Sequence, residues 1–348
     1  MGAQQSSFVV EIAAPRYGKF QSLPQKDPDD ENAQWRITVN PASELGNTDT
    51  LRNLINKLYH IQKLLNPSDV RQILTALKFL DSGQELMLPL LTVISNSTAY
   101  PSNQSLLRQF GVTKRIVDLF TERQFEWSKS CRIMLLQCIA NMAVDHENEM
   151  MLRKAIPAIV RRTESTVDME CVVALQALTN LSSSITPEQV NLYVPCIPHA
   201  LNKLWVKGEV NLHSLKLLVN LACCPDLVPY ILASKTVTGL LTILDADKPD
   251  VLLRAVTWLL CMSTAVEALS ITYDQIAPLN QDPFGNPNYT LYHTLYGFRG
   301  KRELSDRCRT LRDHKSKEIS DKAERLLETL GKIQQMRESM YSLDKVLQ

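Results

Sequence analysis

Five segments of this chain resemble one another at an interval of about forty residues, and no other feature constrains the fold as strongly. They are residues 90–96, 135–141, 174–180, 214–220 and 255–261, with last positions 45, 39, 40 and 41 residues apart. In each, the residues two and five before the last are apolar: Ile94 and Leu91, Ile139 and Leu136, Leu178 and Leu175, Leu218 and Leu215, Leu259 and Val256. That spacing places them on one buried face of a helix. After each segment comes a polar turn and a second apolar element, over residues 106–120 around Gly111, 151–160, 190–204 and 227–244. A helical unit of this size cannot bury its own apolar face, so neighbours must stack into one quasi-linear core with capped ends. Composition agrees: glycine is only 11 of 348 residues, about half the usual share, which disfavours turn-dense β architecture.

The period and the last residue of each segment carry a resemblance. A forty-residue helical repeat is similar to the armadillo and HEAT arrays, and Asn96, Asn141, Asn180 and Asn220 resemble the asparagine ladder of the armadillo kind. The predicted fold is an all-α, right-handed armadillo/HEAT-like solenoid with an N-terminal extended arm and a C-terminal helical cap. Its predicted divisions are the arm over 1–46, repeats over 47–275, a Pro-rich loop over 276–298 and capping helices over 299–348. Ladder amides suit two roles: pairing with the backbone of an extended peptide in the concave groove, or bridging neighbouring helices inside the stack. The fifth ladder position is Cys261, where the ladder ends. Importin-like arrays place Trp four residues before the Asn, whereas this chain has Thr92, Gln137, Gln176 and Lys216 there. A nuclear-import receptor is disfavoured.

Three further stretches resemble one armadillo-repeat subfamily, which includes armadillo repeat-containing members 10 and 12 and the X-linked group. They are residues 68–74 running into Asn96 and then 103–111, residues 213–221, and the tail segments 291–297, 304–307 and 311–314. The resemblance implies a non-enzymatic scaffold on the cytosolic face of the mitochondrial outer membrane, tied to mitochondrial distribution and organelle adhesion. Members of that group carry an N-terminal transmembrane anchor. This chain offers Gly2 instead, which leaves the mitochondrial outer membrane and other cytosol-facing membranes both open.

Met1-Gly2-Ala3-Gln4-Gln5-Ser6-Ser7 fits the N-myristoylation pattern, in which the unhindered amine of Gly2 is acylated. One myristoyl chain binds membranes marginally and reversibly, so a bound partner would supply the remaining attachment. The longest nearly uncharged apolar run, residues 255–266, is shorter than a bilayer span. Residues 8–46 contain Pro15, Pro24, Pro28 and Pro41 and no sustained helical period, and read as a draped arm. The eight cysteines lie mostly in apolar stretches without a Cys-x-x-Cys, which reads as core packing in a reducing compartment. Cys223-Cys224 has core packing and a soft-metal site as its two readings.

A formal charge of +1 provides no field for nucleic acid. Residues 299–338 are locally basic, with Arg299, Lys301, Arg302, Arg307, Arg309, Arg312, Lys315 and Lys317 among them. Two roles stay open there: capping the solenoid through a helix over residues 316–341, and meeting acidic headgroups or an acidic partner. The six histidines are scattered and no catalytic or phosphate-cradling motif occurs. The expectation is no enzyme, no cofactor, no metal and no small-molecule substrate. Function is expected to be protein binding on the concave face, of an extended peptide or helix, through Asn96, Asn141, Asn180, Asn220, Gln137, Gln176 and Lys216, with membrane attachment through Gly2. The alternative is a soluble structural subunit acting through the arm and the Pro-rich loop.

Overall fold

In the computed structural model, residues 48–60, 64–80, 84–122, 127–235, 239–279 and 287–333 are described. The arm with Gly2, residues 280–286 of the predicted Pro-rich loop and the end of the last predicted helix lie outside them, while Leu291–Tyr296 of that predicted loop is helical. The chain opens with α1 (Thr48–His60), α2 (Pro67–Phe79) and α3 (Met87–Ser97). A three-helix repeat follows, of α4 (Pro101–Gln109), α5 (Val112–Glu122) and α6 (Lys129–Met142). The next has α7 (Glu149–Leu152) and α8 (Ile156–Arg162) before α9 (Asp168–Leu181), and another has α10 (Val190–Tyr193) and α11 (Cys196–Asn202) before α12 (Leu212–Ala222). After α13 (Val228–Ala233) and a 3-10 segment, Leu240–Asp245, comes α14 (Pro249–Leu269). The chain then passes through α15 (Tyr273–Ile276) and α16 (Leu291–Tyr296) to α17 (Phe298–Leu311) and α18 (Lys317–Lys332).

Helices α3, α6, α9, α12 and α14 are the five repeated segments, and they pack side by side in that order as one layer. The apolar pairs read from the sequence sit at their centre: Leu91, Ile94, Leu136, Ile139, Leu175, Leu178, Leu215, Leu218 and Val256 are fully buried. Burial of a leucine-sized side chain stabilises by about 2 kcal/mol, so removing one at a junction loosens two repeats together. The last exposed face of the layer is closed by α18, whose Ile319, Ala323, Leu326 and Leu330 are buried and whose main neighbour is α14. The described helix ends at Lys332, so the part of the predicted helix beyond residue 333 is outside the described residues.

Two findings differ from the sequence reading. Strands Trp205–Val206 and Glu209–Val210 form a minimal hairpin between the 190–204 element and the 214–220 segment, within repeats expected to be all-α. Its turn residues Lys207 and Gly208 both have positive φ, the conformation of a type I′ turn, so the Lys-Gly pair is the signal that was there to be read. The second is α14. As a 21-residue helix it is long and apolar enough to cross a bilayer by length and composition, contrary to the shorter run expected. Its Ala255, Val256, Trp258, Leu259 and Met262 are buried against the stack, which marks a core helix.

Polar groups between repeats are matched as closely as apolar ones. Glu170, fully buried near the start of α9, accepts from Arg132 Nε of α6 at 3.0 Å and from Ser165 Oγ at 2.8 Å, with Arg162 Nε 3.6 Å away. Burial alone would raise its pKa; the hydrogen bonds from Arg132 and Ser165 and the two nearby guanidinium charges outweigh burial and hold it below the ordinary carboxylate value. A depressed folded pKa means the stabilisation is present above the unfolded pKa and lost as pH falls through the folded one. Glu170→Gln is therefore expected to lose about 3 kcal/mol at neutral pH. The deficit relative to the parent should shrink in acid, measured by denaturant titration across pH.

Candidate functional site

Each helix of the layer ends with the carbonyls of its last turn lacking partners within the helix. In α6, Ile139 O accepts from Ala143 N at 2.9 Å, Asn141 O from Val144 N at 3.2 Å, and Met142 O from Asp145 N at 3.3 Å and Asn148 Nδ2 at 2.9 Å. Ala140 O remains, and Asn180 Nδ2 of the following layer helix donates to it at 2.8 Å. The same bond recurs along the stack: Asn141 Nδ2 donates to Ser95 O at 3.0 Å, and Asn220 Nδ2 to Thr179 O at 2.8 Å. Every ladder asparagine with a preceding repeat thus caps the carbonyl just before the preceding ladder asparagine.

These bonds place the predicted residues. Asn180 is buried, Asn141 and Asn220 are half-buried, and Asn96, which starts the ladder, is exposed. The sequence left two roles open for the ladder amides, and the Nδ2 groups of Asn141, Asn180 and Asn220 bridge neighbouring helices. Gln137 Nε2 donates to Asn141 Oδ1 at 2.8 Å, so this pair forms one polar unit at the surface of α6. Gln137, Gln176 and Lys216 are each half-exposed and lie one helical turn before a bridged asparagine, so the layer presents a polar row on three successive helices. Thr92, at the matching place in α3, donates its hydroxyl to Leu88 O within its own helix at 2.8 Å.

The row is not electrically uniform. Gln137 and Gln176 are neutral, whereas Lys216 carries a charge that burial, and then the neighbouring charge of Arg254 on α14, push toward a lower pKa against an opposing pull from Asp250. Two cations close together near a partly desolvated surface favour an incoming carboxylate.

At the fifth place, which lacks the amide, the helix end differs as well. α12 closes its own end: Cys223 N donates to Val219 O, the carbonyl that a fifth asparagine would cap, at 3.0 Å. Sequence reading registered the missing Asn but not this extra helical bond, which depends on where α12 stops. Elsewhere, the turn Asp145-His146-Glu147, with His146 and Glu147 exposed, is held by Arg108, which pairs with Asp145 at 2.7 Å and with Glu147. In the basic tail, Arg307 pairs with Asp245 and Glu303, Arg309 with Asp306, and Arg312 with Glu324 at 3.1 Å. Those intramolecular pairs reduce the charge available to an acidic surface. Among the described residues, no group of three or more His, Cys, Asp or Glu is arranged to hold a metal ion.

Removing the buried clamp has a defined expectation. Asn180→Ala leaves Ala140 O without its donor and should cost about 1–3 kcal/mol, whereas Asn96→Ala, at an exposed place without a clamp bond, should stay within about 0.5 kcal/mol. Asn180→Asp should be at least as harmful as Asn180→Ala, since it sets a carboxylate against a carbonyl. Chemical denaturation of the three variants measures all of this.

Comparison with known proteins places this geometry. The chain is similar to an engineered protein of known crystal structure at 17% identity and a TM-score of 0.56, covering 79% of this chain and 100% of that one. It is also similar to a designed armadillo repeat protein at 15% identity and a TM-score of 0.56, covering 75% and 99%. A third, a designed armadillo repeat protein in complex with the peptide (KR)4, aligns at 17% identity with a TM-score of 0.55, again covering 75% and 99%. Among curated proteins no sequence matches. The Armadillo-like family profile matches residues 65–275, more than half of the sequence, and this repeat architecture is that of a protein-interaction scaffold. The chain belongs to the Armadillo-like family.

Proposed function

We propose that this protein is a non-catalytic scaffold that holds an extended peptide or a helix of a protein partner along the concave face of the solenoid. The observation that carries the reading is the polar row Gln137, Gln176 and Lys216, repeated at the same turn of successive helices and held in register by the asparagine clamps. A row spaced by the repeat suits a partner whose own side chains recur along an extended backbone. The designed armadillo protein with (KR)4 has a basic peptide partner. Here the row is neutral and then cationic, so the partner segment is neutral at one end and acidic at the other, with a carboxylate meeting Lys216 and Arg254.

The scaffold acts at a cytosol-facing membrane, held there reversibly by a myristoyl group on Gly2, with the mitochondrial outer membrane as one such address. Support for this part is the sequence pattern at residues 1–7 and the resemblance to membrane-tethered armadillo proteins. Because one acyl chain holds weakly, the partner supplies the second attachment.

Two measurements test the two halves separately. Against a displayed library of extended peptides, the parent should select acidic sequences, and Lys216→Glu should weaken the selected peptides at least about tenfold; selection of basic peptides, or indifference to Lys216→Glu, would contradict the groove reading. For the membrane half, protein made in eukaryotic cells should carry the acyl mass and sediment with membranes, and Gly2→Ala should be soluble. An unmodified N-terminus with both forms soluble would remove the tether and leave the groove untouched.

A further inference from the structure

Where the asparagine ladder stops, the stack brings two thiols together. Cys223 is the C-cap residue of α12 and Cys261 occupies the vacant ladder place on α14, and their sulfurs are 3.8 Å apart. All eight cysteines are free thiols; six of them are buried, whereas Cys223 is exposed and Cys261 half-exposed. The pair therefore differs from the core cysteines in both respects that matter for oxidation, a neighbouring sulfur and access from solvent. The sequence draws attention to the adjacent Cys223-Cys224, but Cys224 is buried, and the sulfur that approaches Cys223 comes from 38 residues further along the chain.

We propose that Cys223 and Cys261 form an oxidation site, at which a hydroperoxide converts the two thiols into a disulfide that joins α12 to α14 covalently. In the first step the Cys223 thiolate attacks one peroxide oxygen; the O–O bond breaks, the other oxygen leaves as water or an alcohol, and Cys223 becomes a sulfenic acid. In the second the Cys261 sulfur attacks the Cys223 sulfur, the S–O bond breaks, and hydroxide departs as water with the Cys261 proton. Two thiols and one hydroperoxide give one disulfide, one water and one water or alcohol, the two electrons passing from sulfur to the peroxide.

The surroundings assign the two roles. Cys223 is the more exposed sulfur and the one a peroxide reaches first; its hydrogen bond with Cys261 holds its pKa below the ordinary thiol value, burial opposes this, and the Lys322 ammonium of α18 assists. Cys261, only half-exposed, is pushed upward by the same contact and by burial, and acts as the resolving thiol. To bond, the sulfurs close from 3.8 Å to about 2.05 Å. The product is a covalent clamp at the first junction without an amide clamp, so oxidation would tie the last layer helix to the array as the asparagines tie the earlier ones.

The test uses the full chain, treated with hydrogen peroxide, alkylated, and mapped after trypsin. Residues 217–235 and 255–299 fall in separate tryptic peptides, so the disulfide appears as a cross-link between them that dithiothreitol reverses. It should form in the parent and in Cys224→Ser and be missing from Cys223→Ser and Cys261→Ser. Oxidised parent should melt at least about 5 °C above the reduced form, with no such rise in Cys261→Ser. A Cys223-Cys224 disulfide, a disulfide-linked dimer through Cys223, or sulfinic acid at Cys223 with Cys261 still alkylated would each overturn the proposal, and the parent map alone distinguishes them.

Discussion

Everything in this molecule depends on the junction between one layer helix and the next. A helix such as α6 has an apolar face too large to expose and too narrow to bury against its own repeat, so its folding is completed only by its neighbours. Apolar contact by itself would let such helices slide. At these junctions the residual freedom is removed by a directional bond: near the end of α3, α6 and α9 a backbone carbonyl accepts from an asparagine amide of the next repeat. Asn180 on Ala140 O, Asn141 on Ser95 O and Asn220 on Thr179 O are the same solution at three successive places.

That requirement also fixes what the surface can present. If the amide at each ladder place is committed to the preceding helix, the groups one turn earlier stand at constant spacing with their own chemistry left variable. Gln137, Gln176 and Lys216 show this division, with register supplied by the asparagines and selectivity by the residue before them. The last junction departs from the rule: α12 closes the Val219 carbonyl with its own backbone, and residue 261 is a cysteine in place of asparagine. The thiol found there faces another across the same gap that an amide bridges elsewhere.

The sequence made the periodic part of this structure legible and the local part much less so. Leu91, Ile94, Leu136 and Ile139 announce a buried face because helical spacing and apolar character are read from identity and order alone, and the α18 stripe of Ile319, Ala323, Leu326 and Leu330 is legible for the same reason. The asparagines could be found but not assigned between stack and groove, since their donors meet carbonyls 40 or more residues earlier and the choice depends on helix-end geometry. The 205–210 hairpin escaped because four strand residues carry no periodicity. Cys261 was seen as a break in a pattern, but its nearness to Cys223 is a fact of helix packing that no local window contains.

The central claim is that the layer face carrying Gln176 meets a partner's chain while the opposite layer does not. Site-specific photo-crosslinking in cells addresses it directly, with the crosslinking residue placed at Gln176 or at Lys154, an exposed site outside the layer. The account predicts a discrete protein adduct from residue 176, mapped to an acidic segment of the partner, and none from residue 154. Equal adducts from both positions, or an adduct from residue 154 alone, would contradict it.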